Sequence, residues 1–454
     1  MTLLEPNTKE NELKCDAVVI GWGLTGRSVA RFLQKKGVRL VAMDTRTKPP
    51  QSKESWEDMT PLIRGEIDHD FLQICQHIII SPGIGKTDLG FDIFAQYGAK
   101  VIGDIELFAQ FVKAPVIAIT GTNGKTTVTN LVCNMLKAGG LRVLKGGNVG
   151  RPVLDLLSEP VPDFYVLELS SFQLETTYSL KPIVAAILNF AEDHMDRYEG
   201  LQDYLEAKLK ILKNAKVAVL NSEDDALNSV DFSGRKVRFG RHEPTNENYG
   251  LTKDFDGHYL SRGTVRYADI KSLQIIGKHN IANALASLAI CGVVTELSPK
   301  VIAGLQQFKG LPHRAELVGT FKGITFIDDS KATNISATKA GINACISEKK
   351  GVLIFGGLFK GGDLEDLIKT IEMKVHTVVL IGRSSELFYR LLRARVPCVR
   401  ANCMNSAVGA ASVFAADGEV VLLSPACSSL DMFSGFEARG LAFKDAIQSW
   451  VKEN

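Results

Sequence analysis

Apolar residues along this chain come in short, strand-length runs, each followed by a glycine-rich or polar turn and then by helical spacing. The first run is Ala17-Val18-Val19-Ile20. A glycine turn follows, then a helical pattern over 28–36, then Gly37 as a stop and a second strand over 38–43. This order predicts a βαβ unit. Ile78-Ile79-Ile80, closed by Ser81-Pro82-Gly83, predicts another strand ending in a turn. A second series opens with a buried strand over 116–120, a glycine-rich loop and a helix reaching Lys137. Parallel strands are predicted over 165–169, 184–188 and 217–221. Residues 232–270 alternate with turn residues and predict a small β-region, and 277–292 predict a helix rich in alanine and leucine. Gly310-Leu311-Pro312 reads as a linker. A third series places strands at 324–327, 352–355, 378–381 and 420–423, separated by helical patterns.

The chain has 454 residues, too many for one ordinary core, so about three domains are expected. They are taken as 1–105, 106–310 and 311–454: a Rossmann-like first domain, a central P-loop ATPase-like domain whose parallel sheet carries the small β-region, and a second Rossmann-like sheet. The class is α/β. The 40 glycines and the 7% aromatic content suit tight strand-to-helix turns better than β-sandwiches. A formal charge of +2 gives no nucleic-acid footprint, so anion binding must come from local geometry. The eight cysteines include no Cys-x-x-Cys pair, which argues against a disulfide scaffold or a zinc site and for a reducing cytoplasm. The opening MTLLEPNTKENELK is polar, with no apolar signal core. No apolar stretch is long enough to span a membrane.

Two glycine loops carry the candidate chemistry. Gly21-Trp22-Gly23-Leu24-Thr25-Gly26 fits G-x-G-x-x-G after a strand, and Asp44 ends the next strand. Glycines let a backbone approach a diphosphate, and a helix N-terminus adds partial positive charge. An NAD-dependent dehydrogenase is one reading. Thr45, Arg46 and Pro49-Pro50 crowd the ribose side, however, and a UDP-type diphosphate would use the same turn. The second loop is Thr120-Gly121-Thr122-Asn123-Gly124-Lys125-Thr126-Thr127. Ile119 stands where the strict Walker pattern has glycine, so this is a variant P-loop. Its backbone N–H groups would surround phosphates, Lys125 would reach the outer ones and Thr126 could ligate Mg²⁺. A P-loop switch protein that binds partners would use the same loop. Glu168, at a strand's C-terminal edge, stands where a Mg²⁺ ligand belongs. His194, in the loop after the strand over 184–188, is a further candidate. Lys208 cannot be told by composition from Lys210 and Lys213, which together read as a solvated face.

The motifs GTNGKTT, ELSSFQLE, NFAEDHMDRY, GLPHR, DDSKATN and SPACSSLDMF, in this order over nearly the whole chain, resemble the Mur ligases of bacterial peptidoglycan synthesis. The fit is best with members that join D-glutamate to UDP-N-acetylmuramoyl-L-alanine at the expense of ATP; a sister ligase adding another amino acid is the nearest alternative. The resemblance implies that the first domain holds the UDP-sugar, with Leu24, Thr25, Asp44, Thr45, Arg46 and Gly83 about the uridine diphosphate and Asn148 on the muramoyl group. It implies that Gly121, Thr122, Asn123, Gly124, Lys125, Thr126 and Thr127 hold ATP phosphates, that Asn280 and Asn283 contact the nucleotide, and that Arg314 and Lys331 reach the γ-phosphate while Asp329 takes the ribose. Thr126, Glu168, His194 and Lys208 would serve two Mg²⁺ ions, Lys208 as a carbamate. Thr333, Lys360, Ser429, Leu430 and Phe436 would frame D-glutamate. Near Lys360 the chain reads Gly356-Gly357-Leu358-Phe359, where some relatives carry an aspartate. A monomer without nucleic-acid or membrane partners is expected.

A carbamate forms only on a neutral amine, and an ordinary lysine has a pKa of about 10.4. Burial or a neighbouring cation should therefore depress that of Lys208. The cations of the third domain further imply closure onto the P-loop when ligands bind.

Overall fold

The computed structural model describes residues 15–50, 56–57, 60–73, 75–84, 100–195, 197–275, 277–346 and 351–453. The polar N-terminal stretch and Asp196 of the NFAEDHMDRY run lie outside them.

Three open sheets follow one another along the chain. The first is wholly parallel, in the order Leu62–Arg64, Leu40–Asp44, Ala17–Ile20, His77–Ile80, Lys100–Gly103. The earliest strand lies at its centre, so a crevice opens at the strands' C-terminal edge, the usual ligand position in such sheets. The first helix, Leu24–Lys35, begins four residues before the apolar periodicity does. Its opening turn, Leu24-Thr25-Gly26-Arg27, holds a single apolar side chain, Leu24, and that one is exposed, so the apolar pattern does not register it.

The central sheet has nine strands. Seven run parallel, from Val143–Gly147 at one edge through Phe164–Glu168, Val116–Thr120, Val184–Ile187, Val217–Asn221 and Arg235–Phe239 to Tyr249–Asp254. Gly257–Arg262 and Val265–Asp269 continue it antiparallel. The small β-region is thus the far edge of the central sheet. Its alternating polarity follows from that place, since edge strands are covered less completely. The strand Val116–Thr120 is buried throughout. Ile117 and Ile119 meet the helices Lys125–Ala138 and Lys278–Val294 on one face. Val116 and Ala118 join a second cluster that also contains Val19, Ala42, Ile79 and Ile102 of the first sheet. The first two domains therefore share one apolar core. Ser28 and Arg31 reinforce the junction by donating to Asp155 at 2.7 and 2.8 Å.

The third sheet runs Glu316–Phe321, Ile324–Asp328, Val420–Leu423, Gly351–Gly356, Val375–Ile381, Cys398–Arg400. The chain's last strand inserts beside Ile324–Asp328, so the order differs from that of the first sheet. The antiparallel Glu316–Phe321 and the short Cys398–Arg400 carry too few consecutive apolar residues to be seen in the sequence. Among the described residues no helix is long and apolar enough to cross a membrane.

Candidate active site

In the first glycine turn, each glycine has its own reason. A Cβ on Gly26 would stand 1.8 Å from the Gly21 carbonyl oxygen, and one on Gly21 would meet Ser81 at 2.8 Å. Gly23 faces open space, leaving room for a ligand over the backbone. The residues expected about a uridine diphosphate gather here: Leu24 and Thr25 open the helix, Asp44 ends the neighbouring strand with Thr45 and Arg46 just after it, and Gly83 follows the next strand. Asp44 is buried, and its carboxylate accepts from the Trp22 and Arg46 backbone N–H groups at 2.6 and 2.9 Å and from Arg46 Nε and Nη2 at 2.8 and 2.7 Å. The Arg46 guanidinium chiefly holds its pKa at about 2. All four acceptor positions of this carboxylate are occupied. Asp44 thus fixes the turn and presents Arg46, and it is not the free ribose acceptor that a nicotinamide cofactor would need.

The second loop faces a cavity of about 940 Å³ lined by the central and third domains. Gly124 (φ 83°) leads into the helix Lys125–Ala138, and a Cβ there would stand 2.5 Å from Asn283 Oδ1. Asn189 holds the loop from behind: its carbonyl accepts from Thr122 N at 3.0 Å and its Oδ1 from Asn123 N at 2.8 Å. Lys125 Nζ donates to the carbonyls of Gly121 and Thr122 at 2.8 and 2.9 Å. Lys208 Nζ donates to the same Gly121 carbonyl at 3.1 Å and lies 4.3 Å from the Tyr204 ring centroid.

Lys208 is 1% exposed. Burial first, and the Lys125 ammonium second, push its pKa well below the ordinary lysine value. That is the environment a carbamate-forming amine requires. Lys125 is lowered too, by burial. Across the cavity, burial with Arg314 as neighbour brings Lys331 to about 8, and burial lowers Arg314 itself. These cations and Lys360 line one space. Cations gathered around one cavity form a receptor for a polyanion.

Glu168 ends its strand in register with Ile119, just before the P-loop. It is buried, and its Oε1 accepts from Asn148 Nδ2 at 3.0 Å. His194 takes a left-handed conformation (φ 60°) and sets its ring against Phe172, centroids 4.8 Å apart. Thr126, Glu168, His194 and Lys208 all line the cavity. Hydroxyl and carboxylate oxygens at a P-loop suit a hard divalent cation. Asn280 and Asn283 lie behind the loop, joined at 3.0 Å, and line the cavity with Thr127, Asp329 and Thr333. Burial raises Asp329 to about 7, although Ser424 Oγ and Ala315 N donate to it.

Ser429, Leu430 and Phe436 do not line this cavity. Phe436 underlies Lys331, whose Nζ is 3.9 Å from its ring centroid. Ser429 is buried, with its carbonyl accepting from Met432 and Phe433, while Leu430 is exposed.

Residues between the expected positions do the joining. Asn334 Nδ2 donates to Asn123 Oδ1 and Asp193 Oδ2 at 3.2 and 3.1 Å, and Lys360 Nζ is 3.7 Å from Asp193 Oδ1. The third domain is thus closed against the P-loop. Both Asp193 and Asn334 fall inside motifs singled out in the sequence, which was the one available signal. His313, the residue before Arg314, has its Nδ1 2.6 Å from Asp328 Oδ2, and its carbonyl accepts from Lys331 N at 3.0 Å. Glu316 lies beside this pair and accepts from His313 N and from Lys444, so the group fixes the backbone on which Arg314 stands and to which Lys331 N donates.

Fold and site together define a three-domain P-loop enzyme that places a phosphate receptor between two sheets, with a second nucleotide-type turn on a third. Family models match in the same order: the Mur ligase MurD-like N-terminal domain over residues 15–103, the Mur ligase middle domain over 119–291 and the Mur ligase glutamate ligase domain over 313–427. The chain is 41% identical over 441 residues to the UDP-N-acetylmuramoylalanine--D-glutamate ligase of Nitrosococcus oceani, covering 96% of this chain and 97% of the relative. It is 41% identical to the protein of the same name from Pseudomonas syringae, covering 95% and 97%. The fold resembles that of the UDP-N-acetylmuramate-alanine ligase MurC of Thermotoga maritima (TM-score 0.61, 20% identity, 96% of this chain and 99% of that one). It also resembles the MurF ligase of the same organism in complex with ADP (TM-score 0.60, 16% identity, 96% and 95%). The chain belongs to the Mur ligase family.

Proposed function

We propose that this protein is the ATP-dependent ligase that adds D-glutamate to UDP-N-acetylmuramoyl-L-alanine in peptidoglycan precursor synthesis. The observation that carries the reading is the cavity in which P-loop Lys125 faces Arg314, Lys331 and Lys360 of the third domain. A carboxylate and an amine do not condense in water near neutral pH, because hydroxide leaves poorly. Transfer of the ATP γ-phosphoryl group to the alanyl carboxylate gives an acyl phosphate and ADP. The amine of D-glutamate then attacks the carbonyl carbon, the C–O bond to phosphate breaks and the amine gives up a proton. The amide and inorganic phosphate remain.

In this reading each domain brings one reactant. The turn over 21–26, with Thr45, Arg46 and Gly83, takes the uridine diphosphate, and Asn148 the muramoyl side. The loop over 121–127, Asn280, Asn283 and Asp329 take ATP. Thr333 and Lys360 take the amino acid, together with Ser429, Leu430 and Phe436. Lys125, Arg314 and Lys331 reduce the repulsion between the carboxylate and the triphosphate. Two Mg²⁺ ions held by Thr126, Glu168, His194 and a carbamylated Lys208 would add charge neutralisation at the transferred phosphoryl group. The enzyme acts as a cytoplasmic monomer.

The test is phosphate release with ATP and UDP-N-acetylmuramoyl-L-alanine, run in turn with D-Glu, L-Glu, L-Ala and L-Lys. Release with D-Glu alone is expected. Release with a different amino acid would make this a sister ligase, and steady hydrolysis that needs no amino acid would remove the reading.

A further inference from the structure

We infer that Arg197 is a positioning residue that couples the UDP-sugar domain to the loop carrying His194, so that binding of the sugar nucleotide and of ATP reinforce each other. The inference rests on the ligase reading above. Arg197 closes the same turn as His194: Arg197 N and Tyr198 N donate to the His194 carbonyl at 3.0 and 3.3 Å. Its side chain then leaves the central domain. Nη1 donates to the Pro82 carbonyl at 2.8 Å and Nη2 to the Ile84 carbonyl at 3.1 Å. These two carbonyls flank Gly83, at the edge of the first sheet where the uridine diphosphate is expected.

Behind the guanidinium lie an aromatic ring and a carboxylate. The Arg197 Cζ lies 3.9 Å from the Phe172 ring centroid, and Nη2 also donates to Glu175 Oε2 at 3.2 Å. Tyr198 O–H donates to the other Glu175 oxygen at 2.6 Å. Phe172 in turn carries the His194 ring on its edge. The Arg197 side chain is only 17% exposed, so water does little to loosen these bonds. A planar fork with five N–H groups can serve two carbonyls and a carboxylate at once, whereas a lysine ammonium has neither the span nor the fixed directions. A shift of the loop over 81–84 on ligand binding must move this fork, and with it Phe172 and the His194 carbonyl that Arg197 N and Tyr198 N hold. Coupling of that kind is reciprocal: each ligand changes the affinity of the other by the same factor.

The full-length protein tests this by calorimetry. The Kd of UDP-N-acetylmuramoyl-L-alanine is measured with and without saturating Mg²⁺ and a non-hydrolysable ATP analogue, and the Kd of the analogue with and without the UDP-sugar. For the wild type each ligand should tighten the other by about 5-fold or more. In Arg197→Ala both ratios should fall to below about 2, with Arg197→Lys between. In turnover, the KM for the UDP-sugar should rise about tenfold while that for D-glutamate stays within about twofold. If Arg197→Ala does not fold, Arg197→Lys and Glu175→Gln carry the same comparison. A variant with a lowered Tm but the wild-type coupling ratio would overturn the inference, because a mere brace between domains predicts that result. So would a wild type that binds both ligands with ratios near 1. A wild type that binds no UDP-sugar at all would overturn the ligase reading itself, and this inference with it.

Discussion

Burial, with the Arg314 guanidinium as neighbour, lowers the Lys331 pKa to about 8. A bound triphosphate supplies a balancing anion and restores the proton. ATP binding at pH 8 should therefore take up protons, and affinity should fall as pH rises through about 8; calorimetry in buffers of different ionisation heat measures both. The same shift has a folding consequence. Unfolded chain keeps its lysine proton up to an ordinary pKa of about 10.4, so between about 8 and 10.4 the unfolded state binds more protons and this group's contribution favours folding increasingly as pH rises. At Lys208 the chemistry is different. Lys208→Arg cannot form a carbamate, and turnover should drop by about 10²-fold or more, with intact-mass analysis in bicarbonate finding one CO₂ on the wild type and none on the variant. Nothing in the sequence singles out Lys208 by composition. The family resemblance picks it out, and the physical difference is burial: Lys210 and Lys213 are exposed, whereas Lys208 sits beneath Tyr204 and the P-loop.

The turn over 21–26 and the helix it opens depend on two backbones passing at contact distance. Gly26→Ala puts a methyl into the Gly21 carbonyl, and we expect a loss of about 1–3 kcal/mol in stability, with UDP-sugar affinity falling more than ATP affinity. Differential scanning calorimetry and paired binding titrations would measure it. A second element effect concerns the helix Asp104–Phe111 that leaves the first sheet. Burial raises Asp104 to about 6, although Gln173 Nε2 donates to it at 3.2 Å. The folded state therefore binds the extra proton between the ordinary carboxylate pKa and about 6, and stability falls as pH rises through that window. Asp104→Asn should raise Tm at pH 8, by the equivalent of at most about 3 kcal/mol, and change it little at pH 4. The element pattern itself was largely readable, because fully buried parallel strands are continuous apolar runs. Edge strands such as Glu316–Phe321 are half covered and carry no such run.

The first two domains share an apolar core, whereas the third meets the P-loop through polar bridges at Asn334, Asp193 and Lys360. Polar junctions open at little cost, so domain movement is expected at the third domain. Asn334→Ala removes two bridges at once. Solution scattering should find that variant more extended than the wild type in the absence of ligands, and the KM for ATP and D-glutamate should rise by about 3- to 10-fold. A variant with wild-type dimensions and KM values would make the bridges incidental.

By itself, the sequence determined three α/β units, two phosphate-type turns and a set of ordered motifs sufficient for the family. These are local matters: strand-length apolar runs, glycines where the backbone must turn, and residues that fall within one loop. Tertiary structure alone decided which charges meet. Arg314, Lys331 and Lys360 come from three separate segments and face Lys125 only because the third sheet closes over the P-loop. It also decided that Asp44 is spent on its own turn and Arg46, which removes the acceptor a nicotinamide ribose would require. Burial and hydrogen-bond saturation depend on neighbours far away in the chain, and no spacing of residue types records them.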